Sequence, residues 1–328
     1  MKLDNIRFIG RHINKEGKEY FSYSGSGFEF AIKPIEKNCS ITLSFTSKLR
    51  EHDSQYIGVY LNDVFYCKEK LVEGFNKVVI NLDSAKEYVV VRVIKLNETY
   101  LSSLYLEDIV LENASICELK PNNKKRVGFF GDSITCGYGL LDYQGTGFKA
   151  EAEEFIKTYA YLACSELNMD HLVVARSGIS IGIKIWVDTL FNEIYDTVDM
   201  FEKCSTDDHL DYAVIYLGTN DQVGYYQNAE DKEKALQDFH QEYHKLIDRI
   251  IKDNPGVKIL ICYNMIELTD LIIDAIKEKK QYIESHYPNP VKLVEFKPDS
   301  NGADCHPYMT AQQEGAKVLI EAIKSFDK

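Results

Sequence analysis

The chain changes its grammar once, across the polar, basic stretch "ELKPNNKKR" at 118–126, and that change limits the fold more than any other feature. Before it come short β-type runs: "FEFAI", "SITLSFTS", "YIGVYLNDVFYC", "NKVVINL", "EYVVVRVIKLN" and "SLYLEDIVL". Val, Ile, Tyr and Phe recur at strand spacing, no long helical pattern intervenes, and "SGSG" at 24–27 supplies turn chemistry. This half reads as an all-β sandwich. After the stretch, apolar runs of strand length alternate with longer helical patterns: "VGFF" with "EEFIKTYAYLACSEL", "HLVVA" with a pattern around 184–203, and "YAVIYLG" with "DKEKALQDFHQEYHKLIDRII". "VKILICYN" with "LTDLIIDAIKEKKQYIESH" and "VKLVEF" with "TAQQEGAKVLIEAIKSF" complete five βα units. Strands of nearly continuous Val, Ile and Leu are buried on both faces, and β-then-α alternation gives a parallel sheet with right-handed crossovers. The expected architecture is α/β, with a sandwich over 1–120 followed by a doubly wound parallel-sheet domain over 121–328.

Length agrees with two domains, since 328 residues exceed what most single cores reach. A formal charge of −13 repels phosphate backbones and anionic bilayers, so neither nucleic acid nor membrane is expected as a partner. No apolar run approaches the roughly 20 residues of a membrane span, and "MKLDNIRFIGRH" has no signal-type apolar stretch. The expectation is a cytoplasmic protein. Cysteines at 39, 67, 117, 136, 164, 204, 262 and 305 form no CxxC pair, which argues against a zinc knuckle and for small buried hydrophobes in a reducing compartment.

Ligands of an open parallel sheet bind beyond the carboxyl ends of its strands, so the residues after each apolar run are the place to look for chemistry. The first run ends in "GFFGDSITCGYG" with Ser133, the second in Arg176, Ser177 and Gly178, and the third in "GTND" with Asn220. The last is followed by "KPDSNGADCHPY", carrying Asp304 and His306 just before the final helix. A hydroxyl, an imidazole, a carboxylate two residues before it and small or amide donors are the set that acyl transfer needs. Each has a plainer reading. Ser133 fits a helix N-cap equally well, Gly178 a tight turn, Asn220 a turn amide, and His306 a turn ahead of a helix where Thr310 and Gln313 have capping-box spacing. Four such coincidences at four strand ends weigh together more than any one does.

Competing motifs fail. "GDSITCGYG" does not give G-x-G-x-x-G, and there is no G-K-[ST] phosphate loop. His240 and His244 in "HQEYH" have Gln241 where a zinc protease carries Glu, and the pair is expected on a solvated helix face.

Together "GDSIT", the isolated Gly178, "GTND" and "DCHP" resemble the four sequence blocks of the SGNH (GDSL-type) hydrolase superfamily, in that order. With the front half, opening "FIGRHINKEGKEYFSYSGSGFEFAI", nearly the whole chain is similar to carbohydrate esterase family 2, which joins a jelly-roll domain to an SGNH domain and removes acetyl groups from sugars. The resemblance implies Ser133 as nucleophile, His306 as general base and then acid, and Asp304 as the third triad member, some relatives using a backbone carbonyl instead. It implies oxyanion donors at the Ser133 and Gly178 N–H groups and the Asn220 side chain. It implies no metal and no cofactor. The substrate implied is an acetylated sugar, of xylo- or manno-type, with a thioesterase or lysophospholipase on longer chains, or a silent carbohydrate-binding protein, as alternatives. Trp186 and Tyr138 are candidate substrate contacts, and the oligomeric state is open.

Overall fold

The computed structural model describes residues 5–50, 54–83 and 87–327, so the first four residues of the opening stretch quoted above lie outside it. Among the described residues eleven antiparallel strands come first: β1 (Ile6–Ile9), β2 (Ile13–Lys15), β3 (Lys18–Phe21), β4 (Gly27–Pro34), β5 (Asn38–Leu49), β6 (Gln55–Leu61), β7 (Val64–Leu71), β8 (Gly74–Asp83), β9 (Val89–Lys95), β10 (Ser102–Glu112) and β11 (Ala114–Cys117). They form two sheets, β1-β4-β9-β6-β7 with β11 also on β4, and β2-β3-β10-β5-β8. Alternation sets the faces: in β8, Val78, Ile80 and Leu82 are buried while Lys77, Val79 and Asn81 point outward. Phe28, Phe30, Phe45 and Val91 fill the space between the sheets.

The run "YIGVYLNDVFYC" is two strands and a hairpin. Leu61 pairs with Val64, and Asn62 and Asp63 turn the chain with φ of 50° and 64°. Two consecutive positive φ values match the twist of the flanking strands, and Asn and Asp tolerate them.

Five parallel strands follow: β12 (Arg126–Gly131), β13 (Asp170–Ala175), β14 (Tyr212–Tyr216), β15 (Lys258–Tyr263) and β16 (Val291–Glu295), in the order β13-β12-β14-β15-β16. Their helices are α1 (Ser133–Cys136), α2 (Tyr159–Glu166), α3 (Phe191–Ile194), α4 (Thr219–Gln227), α5 (Lys232–Asp253), α6 (Asp270–His286) and α7 (Met309–Lys324). α2 and α7 cover one face, where Tyr159, Leu319 and Ile323 pack with Phe129 and Val214. α5 and α6 cover the other, where Phe239, Ile250 and Ile276 pack with Phe130 and Ile215. The long helical pattern expected around 184–203 is corrected: only the single turn of α3 is helical there, and most of 176–203 is irregular. The chain here runs along the carboxyl edge of the sheet, pinned by side-chain bonds described below.

Direction reverses between β12 and β14, because the chain first steps outward to β13 and then crosses back. That switch opens a crevice at the strand ends. The sandwich closes one side of it. Tyr56, Tyr60, Leu96 and Leu101 of the sandwich share a core with Phe155 and Tyr161 of the second half. Residues 96–99, just after β9, are wholly buried in this seam. A polar loop tolerates burial only when its polar groups find partners. Asn97 meets that condition, accepting from the Tyr56 N–H at 2.6 Å and donating to the Ala150 carbonyl at 2.6 Å.

Candidate active site

β12 ends in Gly131 and hands over to α1 within two residues. Asp132 has extended backbone and accepts the N–H of Ile134 at 3.0 Å, so Asp132 is the N-cap, a contact worth about 1 kcal/mol. The cap reading of Ser133 is thereby corrected by one position. Ser133 is the first helical residue, and its hydroxyl is left for another partner. Burial pushes the Asp132 carboxyl up to about 7.

That partner is His306, whose Nε2 lies 2.9 Å from the Ser133 Oγ. Nδ1 of the same ring meets the backbone carbonyl of Asp304 at 3.2 Å. The Asp304 carboxylate points elsewhere and accepts from the Tyr138 hydroxyl at 2.9 Å. Local backbone explains this: Asp304 and Cys305 have φ of 47° and 61°, and two left-handed residues in succession turn the 304 carbonyl back onto the imidazole. Tyr138 lies tilted against that imidazole with ring centroids 4.3 Å apart, and Phe148 stacks on Tyr138 at 4.3 Å. Burial lowers the pKa of His306 below its ordinary value, against hydrogen bonds to the 304 and 303 backbone that raise it. The ring is then neutral near pH 7 and able to take a proton.

Gly178 and Asn220 lie against the same cleft. Gly178 has φ +76°, and a Cβ there would come within 3.0 Å of the Trp186 Cβ, so conformation and space both call for glycine. Asn220 donates one amide hydrogen to the Ile179 carbonyl at 2.9 Å, which fixes the amide plane and leaves its second hydrogen to the cleft. Asp221, the last residue of "GTND" and without an expected role of its own, takes the N–H groups of Ile181, Gly182 and Ile183 at 3.0, 2.8 and 2.8 Å. Burial still pushes its carboxyl up to about 6. The only sequence signal for it was its place beside Asn220 in "GTND". Ser133, Gly178, Asn220, Asp304 and His306 all border one cleft of about 780 Å³, walled by Trp186, Tyr138 and Tyr100.

His240 and His244 stand apart from this cleft. The solvated helix face expected for them is corrected, because four-residue spacing turns both rings toward α6. The Glu278 Oε2 lies 3.2 and 3.3 Å from their ring nitrogens. Lys279, its side chain without exposure, sends Nζ among all three and is 2.6 Å from Glu278. Its ammonium lies 5.7 Å from the Phe239 ring centre and 5.8 Å from that of Tyr243, and burial lowers its pKa to about 8. Among the described residues, these two histidines and Glu278 are the group spaced to hold a metal ion, and an ammonium sits among them.

Residues 129–294 match the GDSL-like lipase/acylhydrolase family. The chain belongs to that family. No curated protein matches it in sequence. Among solved structures, a family two carbohydrate esterase from Clostridium thermocellum, in complex with cellohexaose, is similar with TM-score 0.86 and 19% identity over 98% of each chain. An acetyl xylan esterase from the rumen bacterium Butyrivibrio proteoclasticus gives 0.85 and 17%, over 99% of this chain and 96% of its own. A carbohydrate esterase family 2 enzyme plus carbohydrate binding domain from Myceliophthora fergusii gives 0.82 and 22% over 98% of each. The chain thus has the fold expected from its sequence, a jelly-roll sandwich joined to an SGNH-type α/β domain. No helix of the described residues is long and apolar enough to cross a membrane.

Proposed function

We propose that the protein is a serine esterase that removes acetyl groups from acetylated carbohydrates, with Ser133 and His306 as the reacting pair. The observation that carries this reading is the 2.9 Å contact between His306 Nε2 and Ser133 Oγ at the floor of an open cleft. His306 takes the hydroxyl proton as Oγ bonds to the acetyl carbon, and the carbonyl oxygen becomes an oxyanion. The Ser133 and Gly178 N–H groups and the Asn220 amide stabilise that charge. On collapse the sugar oxygen leaves with the proton from His306. Water then gives a proton to His306 and attacks the acyl-enzyme, acetate departs, and Ser133 recovers its proton. Asp304 orients His306 through its carbonyl, and its carboxylate acts on the same ring indirectly through Tyr138.

The carbohydrate half of the proposal is supported by the shared fold and by the cleft wall. Trp186 is 62% exposed there, and a flat aromatic face suits a sugar ring. Xylo- or manno-type oligosaccharides are the substrate class proposed, in the reducing cytoplasm that eight free cysteines suit. Ser133→Ala is expected to lose at least about a thousandfold in acetyl ester turnover while still folding. Across acetyl to octanoyl nitrophenyl esters, kcat/KM is expected to fall as the chain lengthens. A rise would transfer the protein to the long-chain acylhydrolases.

A further inference from the structure

The sandwich reaches the back of the active cleft at one buried point. Glu98, in the 96–99 loop, accepts the Ser177 N–H on Oε2 at 2.7 Å, one residue before Gly178. The same oxygen is 3.8 Å from the Cys136 Sγ at the end of α1. Glu98 is itself held on both sides: its N–H donates to Glu153 of the α/β half, and its carbonyl accepts from Lys95 Nζ at 3.1 Å. Burial pushes the Glu98 carboxyl up and the Glu153 carboxyl well above the ordinary range. Its other oxygen, Oε1, has no hydrogen-bond partner. Dehydrating a carboxyl costs several kcal/mol, and a position that only had to fill the seam would be met more cheaply by an apolar side chain.

What the carboxyl holds is the turn Arg176–Ile179, which closes on itself through one long bond, the Ile179 N–H to the Arg176 carbonyl at 3.3 Å. Gly178, at φ +76°, has the widest choice of conformations of any residue type. Asn220 grips the turn on its far side through the Ile179 carbonyl, and Glu98 grips it on the near side through the Ser177 N–H. We propose that Glu98 is a positioning residue for the hydrolytic reaction, a sandwich carboxyl that sets the Ser177–Gly178 peptide so that the Gly178 N–H faces the developing oxyanion. The sandwich is then a structural part of the oxyanion site. This rests on the esterase reading given above.

Three substitutions test it on the full chain with a nitrophenyl acetate assay. Glu98→Asp keeps the carboxyl but falls one methylene short, Glu98→Ala removes it, and Glu98→Gln keeps an acceptor of the same reach. Because an oxyanion donor acts on the transition state, Glu98→Asp and Glu98→Ala are expected to lower kcat at least about tenfold with KM within about twofold. Glu98→Gln is expected to restore kcat to within about threefold of the parent, whereas loss of a buried charge alone would leave it as damaged as Glu98→Ala. Hydrogen exchange of the Ser177 and Gly178 amides should quicken in Glu98→Asp and not in Glu98→Gln. A folded Glu98→Asp protein with parental kcat and unchanged exchange at Ser177 overturns the proposal. A parent enzyme inert on every ester would sink the esterase reading instead, and amide exchange would still decide whether Glu98 clamps the turn.

Discussion

Two histidine clusters lie in the α/β half, and they differ in what is left over. At His240 and His244 a carboxylate and an ammonium stand within hydrogen-bond range of the rings, so each charge has an opposite beside it and the group is complete. At His306 one nitrogen rests on a main-chain carbonyl and the other faces a single hydroxyl, with no opposite charge at the ring nitrogens and a cleft in front. A self-satisfied cluster holds two helices together. A cluster with unspent donors and acceptors aimed at a cavity can do chemistry on what enters it.

The sharpest way to break this contrast is to make the same change in both places. His306→Gln is expected to lower kcat/KM for an acetyl ester by at least about a thousandfold, and His244→Gln by less than about twofold, with its cost read in thermal unfolding. Equal losses in the two variants would remove the distinction. Next in size is Asn220→Ala, which removes one of the proposed oxyanion donors and is expected to cost about 10² to 10³ in kcat. Smaller again is Asp304→Ala. A triad carboxylate on Nδ1 would cost about 10⁴, but here the contact comes from the backbone, so the loss is expected below about tenfold and matched by Tyr138→Phe. A loss near 10⁴ would return the carboxylate to the third position. The mildest test is pH. Since burial lowers the His306 pKa from 6.5, the acid limb of kcat/KM should have its midpoint below 6.5. The neutral base is then retained as pH falls through 6.5 and lost only as it passes the lowered value. A midpoint above 6.5 would mean that a charge near the ring outweighs its burial.

Much of the fold was legible because two hydrophobic periods, two residues and three to four residues, change over at one polar stretch. The four site segments were legible because a parallel sheet gathers its strand ends on one edge, whatever their separation in the chain. What the sequence hid depends on partners far away. The strand-length pieces Ile6–Ile9, Ile13–Lys15 and Lys18–Phe21 are short, ordered by pairing with β4, β3 and β10 respectively, and carry little pattern of their own. The segment 184–203 has helix-like spacing, yet its path is set by Asp221 gripping the N–H groups at 181–183, and tertiary bonds outweigh propensity. Ser133 gave no sign that Asp132 would take the cap. Asp304 carried the expected residue type but presents its main chain, which no side-chain pattern can announce.

The buried 96–99 loop also has a consequence for the order of assembly. Synthesis delivers the sandwich first, with Asn97 and Glu98 still in contact with water, because the partners that enclose them come from residues 136–177. Until that later stretch has left the ribosome the loop stays hydrated, and the first domain can complete its own two sheets but not its boundary. The last contacts of the sandwich are therefore made together with the turn at Ser177 and Gly178. On the proposed esterase reading, formation of the cleft floor and closure of the seam then go together, and activity is expected only once the two halves have joined.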